Sequence, residues 1–233
     1  MLDTVEEAVG RLKKGGFVMI YDSDGREEEV DLVTPSQKIT PRKVRRLRQD
    51  AGGLICVTIP QDTWSKLTLP YLQDIYTHSS DRFEILRYME ADDIPYDEKS
   101  TFSLSVNHRD TFTGITDLDR SLTIKRMAVL GERIKDMKQG EASVEFGKEF
   151  RTPGHVFLLN ASEGLLDERM GHTELATYIL SLTSLYPSMT ICEMLSDGGG
   201  SMSEEEASIY GEENDIPLIE GRDLVSVWEE NNG

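Results

Sequence analysis

The sequence predicts a single α/β domain built as a three-layer sandwich, in which a mixed, twisted sheet has helices on both faces. Segments with strand and helix patterns alternate from end to end, without an obvious linker or internal repeat. Hydrophobic residues make up 38% of the 233 residues and occur along the whole length, which is enough for one sizeable core. We therefore expect residues 1–233 to form one domain.

In the first half of the chain, apolar runs predict strands, and apolar residues at helical spacing predict helices. Thr4 with Glu7 is typical of a capping box, and Thr40-Pro41 is typical of an N-cap followed by the first helical residue. The predicted elements are a helix at 5–12, strands at 17–21, 30–34 and 54–59, and a helix from 41 to about 51. The less regular stretch at 60–101 is either a functional segment, such as a lid, or contains a short buried helix.

The second half continues the alternation, and Ser203 with Glu206 indicates another capped helix. The predicted elements are strands at 102–107, 155–160, 190–195 and 216–219, helices at 117–130, 173–185 and from about 222, and a charged surface segment at 131–150. No G-x-G-x-x-G follows the first strand and no Walker pattern occurs, so the nucleotide-binding folds lose support.

Charge and cysteine content limit the functional classes. The formal net charge of −18 argues against nucleic acid or an anionic membrane as a partner, because both require a basic face. Cys56 and Cys192 match no zinc or redox spacing, which suggests a reducing compartment. No signal peptide or membrane span is recognised, so we expect a soluble cytoplasmic protein.

The most informative segment is the acidic loop, which we define as residues 22–31. It holds six carboxylates and a single cation, Arg26, between two probable strands. Carboxylates held this close repel one another and raise one another's pKa values. One interpretation is a solvated acidic turn. The other is a divalent-cation site that also holds an anionic substrate through the arginine.

A second candidate segment, 169–174, precedes a clearly apolar helix. Arg169 and the free amides of a helix start form a natural phosphate cradle, to which Thr173 adds a hydroxyl and beside which His172 projects. The alternative is ordinary capping by Thr173 with the histidine on the surface. Glu193 ends an apolar strand, where a buried carboxylate needs a partner. His155 taken alone is more often a structural histidine.

In order along the chain, these segments resemble the 3,4-dihydroxy-2-butanone 4-phosphate synthases of riboflavin biosynthesis. The resemblance covers roughly residues 5–225, and several motifs in one order are more specific than any single motif. The motifs are Asp24-Gly25-Arg26-Glu27-Glu28-Glu29-Val30-Asp31, Gly53-Leu54-Ile55-Cys56, Thr113-Gly114-Ile115 with Asp119-Arg120, Arg151-x-Pro153-Gly154-His155, Arg169-x-Gly171-His172-Thr173-Glu174 and Cys192-Glu193.

The resemblance implies a magnesium-dependent lyase that is a homodimer with active sites at the dimer interface. It would convert D-ribulose 5-phosphate into L-3,4-dihydroxy-2-butanone 4-phosphate and formate, through a metal-stabilised enediolate and a skeletal rearrangement. One or two Mg²⁺ or Mn²⁺ ions would bind in each site. Segment 77–101 departs from the shorter, more Gly/Thr-rich stretch of the family, and we assign no role to His78 within it.

The resemblance also implies roles for single residues. Asp22 would be a contact to a second metal ion or to water. The implied metal ligands are Glu27 and His172. The implied catalytic residues are Glu29, Asp31, His155 and Glu193. The implied substrate-binding residues are Arg26, Glu27, Asp31, Cys56, Thr113, Arg169, Gly171, His172, Thr173 and Glu193.

Three other functions fit parts of the pattern. Another metal-dependent sugar-phosphate enzyme, such as an isomerase or aldolase, would use the same enediolate chemistry but would not release formate. A binding module for nucleotide or RNA is disfavoured by the acidic charge. A catalytically dead homologue is disfavoured because every required side chain is present.

Overall fold

Seven strands form one mixed sheet in the computed structural model, which describes residues 2–91, 93–94, 97 and 99–232. The strands are β1 (Val18–Tyr21), β2 (Val30–Pro35), β3 (Cys56–Ile59), β4 (Phe102–His108), β5 (Phe150–Asn160), β6 (Met189–Ile191) and β7 (Leu218–Glu220). Their order is β4-β5-β3-β6-β2-β1-β7. The pairs β1/β7 and β3/β5 are parallel and the other pairs are antiparallel, so the predicted mixed sheet is confirmed.

Helices cover both faces of this sheet, which confirms the predicted three-layer sandwich. The helices are α1 (Asp3–Lys13), α2 (Pro41–Arg46), α3 (Gln61–Leu67), α4 (Leu72–Ser79), α5 (Asp117–Arg133), α6 (Gln139–Glu149), α7 (His172–Ser181), α8 (Glu204–Asn214) and α9 (Gly221–Asn232). One buried cluster joins α1, α7 and α9 to the sheet, and the other joins α2, α3, α5, α6 and α8 to the opposite face. Among the described helices, none combines the length and the apolar character that crossing a bilayer requires.

Strand β2 lies near the centre of the sheet and turns one acidic side chain toward α7. Val30 and Leu32 belong to the cluster on the α2 and α5 side, whereas Val33 belongs to the cluster on the α7 side. Because side chains alternate along a strand, Asp31 also points to the α7 side. Asp31 pairs across the sheet with Glu193, so the two carboxylates lie side by side on the same face.

Local capping follows the sequence at two helices and departs from it at one. Ser203 and Glu206 form the predicted capping box, and the Thr40 side chain accepts a hydrogen bond from the amide of Lys43. The capping box predicted at Thr4 is wrong, because α1 begins at Asp3 and Leu2 occupies the N-cap position. The Thr4 hydroxyl instead donates to Asp223 of α9, at 3.3 Å, so a tertiary contact takes the place of the cap.

Two segments contain helices that the sequence did not reveal. The stretch 60–101 includes α3 and α4, and the stretch 131–150 includes α6. Ala142 is the buried residue of α6, and the half-buried Phe146 stacks on Phe150 at a centroid distance of 5.1 Å. With so few apolar positions, the helical periodicity of α6 was too weak to recognise.

Gly154 of β5 packs directly against the backbone of β4, which leads to a prediction. A Cβ atom at Gly154 would lie 1.9 Å from the carbonyl carbon of Val106, and backbone atoms of the sheet cannot move aside. We expect Gly154→Ala to lower the free energy of unfolding by about 2–3 kcal/mol. The control is Gly147→Ala in α6, where a Cβ meets nothing within 4 Å and helix propensity adds roughly 0.5–1 kcal/mol. Equal stability of the two variants in urea denaturation would contradict this account.

Candidate active site

A small cavity lies on the α7 face of the sheet, where the acidic loop, β6 and the start of α7 meet Ile94, Asp97 and residues 100–102. Its volume is about 240 Å³. Its lining residues are Glu27, Glu29, Asp31, Cys56, Ile94, Asp97, Ser100, Thr101, Phe102, Leu159, Arg169, His172, Thr173, Ile191 and Glu193. A cavity of this size that carries convergent charged groups is suited to a small polar ligand.

Asp22 organises the acidic loop from inside. Its buried carboxylate accepts the backbone amide of Glu27 at 3.0 Å and that of Glu29 at 3.2 Å. Glu28 between them has a φ of 56°, and its side chain is exposed and accepts the amide of Gly25. The loop is therefore fixed with Glu27 and Glu29 toward the cavity and Glu28 toward solvent.

His172 sits in the first turn of α7 with both ring nitrogens engaged. Its Nε2 lies 3.2 Å from the carbonyl oxygens of Ile20 and Glu29, and its Nδ1 lies 3.3 Å from Glu27 Oε2. Carbonyl oxygens only accept hydrogen bonds, so Nε2 carries a hydrogen. Nδ1 then either donates to Glu27 as part of an ion pair or presents its lone pair to a cation.

The residues around His172 fit a divalent cation. Asp22, Glu27 and His172 each offer a ligand atom, and these atoms lie within 4.8 Å of one another. Two carboxylate oxygens and one imidazole nitrogen suit Mg²⁺ or Mn²⁺, which leave further positions to water and substrate. Nearby, Asp31 Oδ1 is buried and has no hydrogen-bond partner in the part of the chain that is described. Asp31 Oδ1 is therefore an acceptor that a bound ligand can use.

Charges in the cavity shift each other's proton affinities strongly. Burial raises the pKa of Asp31 to about 7, and Glu193 and Glu27 add to this rise while His172 opposes it. Burial alone lowers the pKa of His172, but Asp31 and Glu27 outweigh it and raise that pKa to about 10. Asp31 can therefore exchange a proton near neutral pH, which is a property of general acids and bases.

The remaining carboxylates of the cavity are held by hydrogen bonds. The Ser201 hydroxyl donates to Glu29 at 2.6 Å, and the Leu54 amide donates to Glu193 at 2.7 Å. Burial nevertheless raises the pKa of Glu193. Burial also raises the pKa of Cys56, so this side chain lines the cavity as a neutral thiol.

Arg169 is less free than the sequence suggested. Its Nη1 lies 2.6 Å from Oε2 of the fully buried Glu174, and its Nε lies 2.5 Å from Asp97 Oδ2. Arg26 contacts the same Asp97 oxygen at 3.5 Å and Asp22 at 3.7 Å. The guanidinium groups of Arg26 and Arg169 therefore converge at the predicted phosphate site, and both already pair with carboxylates.

The start of α7 has the predicted shape for an anion site. Gly171 occupies the N-cap position, and a Cβ there would lie 2.1 Å from Arg169 Nη1, so the glycine leaves room for the guanidinium group. The Thr173 hydroxyl lies 3.2 Å from that of Thr101. The amides of His172 and Thr173 are the first of the helix and have no acceptor within it.

Thr113 and His155 lie outside the cavity of this chain, and the side chain of Asn107 joins the segments that carry them. The Asn107 side chain accepts the His155 amide at 2.9 Å and contacts the His155 ring at 3.1 Å. A Cβ on Gly114 would lie 2.2 Å from the same Asn107 side chain. The structure thus places the segments of these two residues in a second, exposed cluster. This cluster is formed by the ends of β4 and β5 and by the turn before α5.

The structure brings eleven of the candidate residues to one place and adds lining residues that the sequence did not indicate. Ten line or border the cavity as substrate, metal or catalytic candidates, and Asp22 supports the loop. Asp97 and Thr101 also line the cavity. Asp97 belongs to the charged run 90–99, whose carboxylates look alike in sequence, and Thr101 follows this run. The position of the run ahead of β4 was the only sign that these residues could reach the site.

Comparisons with known proteins agree with this geometry. The sequence profile described as 3,4-dihydroxy-2-butanone 4-phosphate synthase matches residues 6–227. The chain is 44% identical to the synthase of that name from Methanosarcina mazei, over 97% of this chain and 91% of the relative. It is also 44% identical to the one from Archaeoglobus fulgidus, over 97% and 94%.

Among solved structures, the chain resembles a 3,4-dihydroxy-2-butanone 4-phosphate synthase in complex with two magnesium ions. The TM-score is 0.78 at 22% identity, over 100% of this chain and 99% of the other, which shows a common fold. The sequence profile and the two archaeal relatives extend this agreement to the sequence itself. The chain belongs to the 3,4-dihydroxy-2-butanone 4-phosphate synthase family.

Proposed function

We propose that this enzyme converts D-ribulose 5-phosphate into L-3,4-dihydroxy-2-butanone 4-phosphate and formate for riboflavin biosynthesis. The observation that carries the proposal is the cavity in which Asp31 and Glu193 lie side by side, next to His172 and Arg169, with Arg26 at its border. Enolisation of a ketose phosphate needs a proton acceptor, a positive environment for the enediolate and an anchor for phosphate, and this cavity has residues for all three.

Glu27 and His172, with Asp22 beside them, would hold one or two Mg²⁺ or Mn²⁺ ions. When bound, a divalent cation supplies electrostatic stabilisation for negative charge on substrate oxygens. The related structure with two magnesium ions supports this part of the proposal. Binding would replace the contact between Glu27 and His172 Nδ1, while the hydrogen bonds of Nε2 keep the ring in place.

Proton transfer falls to the carboxylates of the cavity. Asp31 has a pKa near neutrality and a free oxygen, so it can take a proton from a sugar carbon and return it. Glu193 is buried beside it, and Glu29 is held by Ser201 at the rim. The skeletal rearrangement needs successive proton movements, which several adjacent carboxylates can share.

The phosphate would bind at the start of α7. Arg26 and Arg169 converge there, and Thr173 and the first helix amides add hydrogen-bond donors. Cys56 would contact the sugar chain through its neutral thiol.

The proposal includes a homodimer with active sites at the interface, in which the partner contributes His155 and Thr113. Three apolar side chains at the turn before α5 and in the first turn of α5 are exposed: Phe112 by 93%, Leu118 by 70% and Ile115 by 52%. An exposed apolar group of this kind is typical of a protein interface. A second copy that covers it would bring its own cluster of His155 and Thr113 to a neighbouring surface.

Residues 1–233 would form one synthase domain, which works in the cytoplasm without a nucleic-acid or membrane partner. The sheet includes strands from both ends of the chain, and the family profile spans residues 6–227, which supports one domain. Both cysteines are buried and unpaired, as is common in a reducing compartment.

The direct test is ¹³C NMR of the protein with C4-labelled ribulose 5-phosphate and Mg²⁺, beside a sample with EDTA. We expect labelled formate only in the sample with metal. Scrambled or epimerised sugar phosphate without formate would reassign the reaction to an isomerase or aldolase. Unchanged substrate with folded, metal-loaded protein would contradict an enzymatic role.

Glu27→Gln tests the metal site. We expect Mn²⁺ affinity, measured by electron paramagnetic resonance, to fall at least about tenfold because one anionic ligand is lost, and formate release to stop. Glu28→Gln is the matched control, because it removes the adjacent carboxylate, which points to solvent. Circular dichroism checks that both variants are folded. Equal Mn²⁺ affinity in the two variants would remove Glu27 from the metal site.

Mixing two inactive variants tests the shared site. His155→Ala and Glu193→Gln would each be inactive as homodimers. Random mixing after co-expression makes half of the dimers hybrid, and each hybrid would keep one intact site. We therefore expect about a quarter of wild-type activity to return. If the mixture stays inactive, although native mass spectrometry shows hybrid dimers, both residues act within one chain.

A further inference from the structure

Asp97 lies between the two arginines to which the proposed function assigns the phosphate. Its Oδ2 is 2.5 Å from Arg169 Nε and 3.5 Å from Arg26 Nη2. The carboxylate lines the cavity, and only 13% of its side chain is exposed. An anionic group of the chain itself thus holds both guanidinium groups.

The two arginines have other carboxylate partners that keep them in place. The fully buried Glu174 pairs with Arg169 at 2.6 Å, and its other oxygen accepts the amide of Ser162 at 2.9 Å. Asp22 lies 3.7 Å from Arg26. Positioning of the arginines therefore does not depend on Asp97. What Asp97 adds is negative charge at the point where the two guanidinium groups converge.

A phosphate group and the Asp97 carboxylate cannot share this point. Both are anions, both need the same N–H donors, and four further carboxylates line the same cavity: Glu27, Glu29, Asp31 and Glu193. Like charges at this separation repel strongly in a partly buried site. One of the two anions must therefore leave the arginines when the other binds.

We propose that Asp97 is an internal competitor for phosphate, whose carboxylate occupies the phosphoryl subsite and leaves both arginines when a phosphorylated substrate binds. The inference rests on the proposed function only in that phosphate binds at Arg26 and Arg169. A phosphate dianion carries twice the charge of a carboxylate and three acceptor oxygens, so it gains by the exchange. A monoanionic sugar acid exchanges one carboxylate for another and gains little. Asp97 thereby lowers the affinity for both kinds of anion, and the phosphorylated ligand is the one that still gains by binding.

The test is calorimetric titration of the metal-free protein, kept in EDTA, with inorganic phosphate at low ionic strength. Asp97→Asn keeps the shape of the side chain and removes its charge, and we expect it to bind phosphate about five- to tenfold more tightly than the wild type. The same variant should bind acetate more tightly by a similar factor, so that the preference for phosphate over acetate does not rise.

Two further variants serve as controls. Asp62→Asn removes one exposed carboxylate from α3, outside the cavity lining, and should leave phosphate affinity within twofold of the wild type. Arg26→Gln should weaken phosphate binding, which shows that the measured site is the arginine pair. In enzyme assays, Asp97→Asn should lower the KM for ribulose 5-phosphate.

The outcomes separate the two hypotheses. If Arg26→Gln weakens phosphate binding but Asp97→Asn binds phosphate no better than the wild type, the competitor role of Asp97 is wrong and the phosphate site stands. If Arg26→Gln and Asp97→Asn leave phosphate affinity unchanged, phosphate binds elsewhere and both assignments are wrong. Tighter phosphate binding by Asp97→Asn, in a protein that releases no formate, supports the competitor role while the reaction itself is reassigned.

Discussion

The balance between buried carboxylates and three cations at the start of α7 is the interaction on which the site depends. Arg169 and His172 line a cavity with five carboxylates among its described lining residues, and Arg26 contacts one of them, in a protein with a formal net charge of −18. Buried charges are stable only when they are paired and hydrogen-bonded. Each cation therefore contacts at least one carboxylate, and the backbone amides of the acidic loop hold Asp22. Burial, opposed by His172 and aided by the neighbouring carboxylates, raises the pKa of Asp31 to about 7.

The sheet explains why these groups meet. Strand β2 runs antiparallel to both β1 and β6, so the end of the β1–β2 hairpin that carries the acidic loop lies next to the end of β6. Alternation along β2 turns Asp31 toward α7, while its neighbours enter the opposite core. Gly171 lets Arg169 cross the start of that helix. Ordinary rules of strand and helix geometry thus produce an unusual concentration of charge.

Much of this arrangement can be predicted from local sequence. The alternation of elements predicted the sandwich, and the ordered motifs indicated the family and the residues of the cavity. Helix α6 was missed, and the helices within 60–101 were not located, because they bury few apolar side chains. The role of Asp97 was not visible because its contacts are with residues 71 and 72 positions away, and no local pattern encodes such pairs. Likewise, sequence could not show that Thr113 and His155 stand apart from the cavity, since their common neighbour Asn107 lies on another strand.

The distances along the chain between the partners of the site have a consequence for folding. Glu27 and His172 are 145 positions apart, and Asp31 pairs with Glu193 across the sheet. Closing loops of this length costs chain entropy, which only the assembled core repays. No fragment that lacks residues 22–31 or residues 169–193 can present the complete charge cluster. Any ligand that recognises the cluster therefore binds the native state alone, and it stabilises the whole domain in proportion to the logarithm of its concentration.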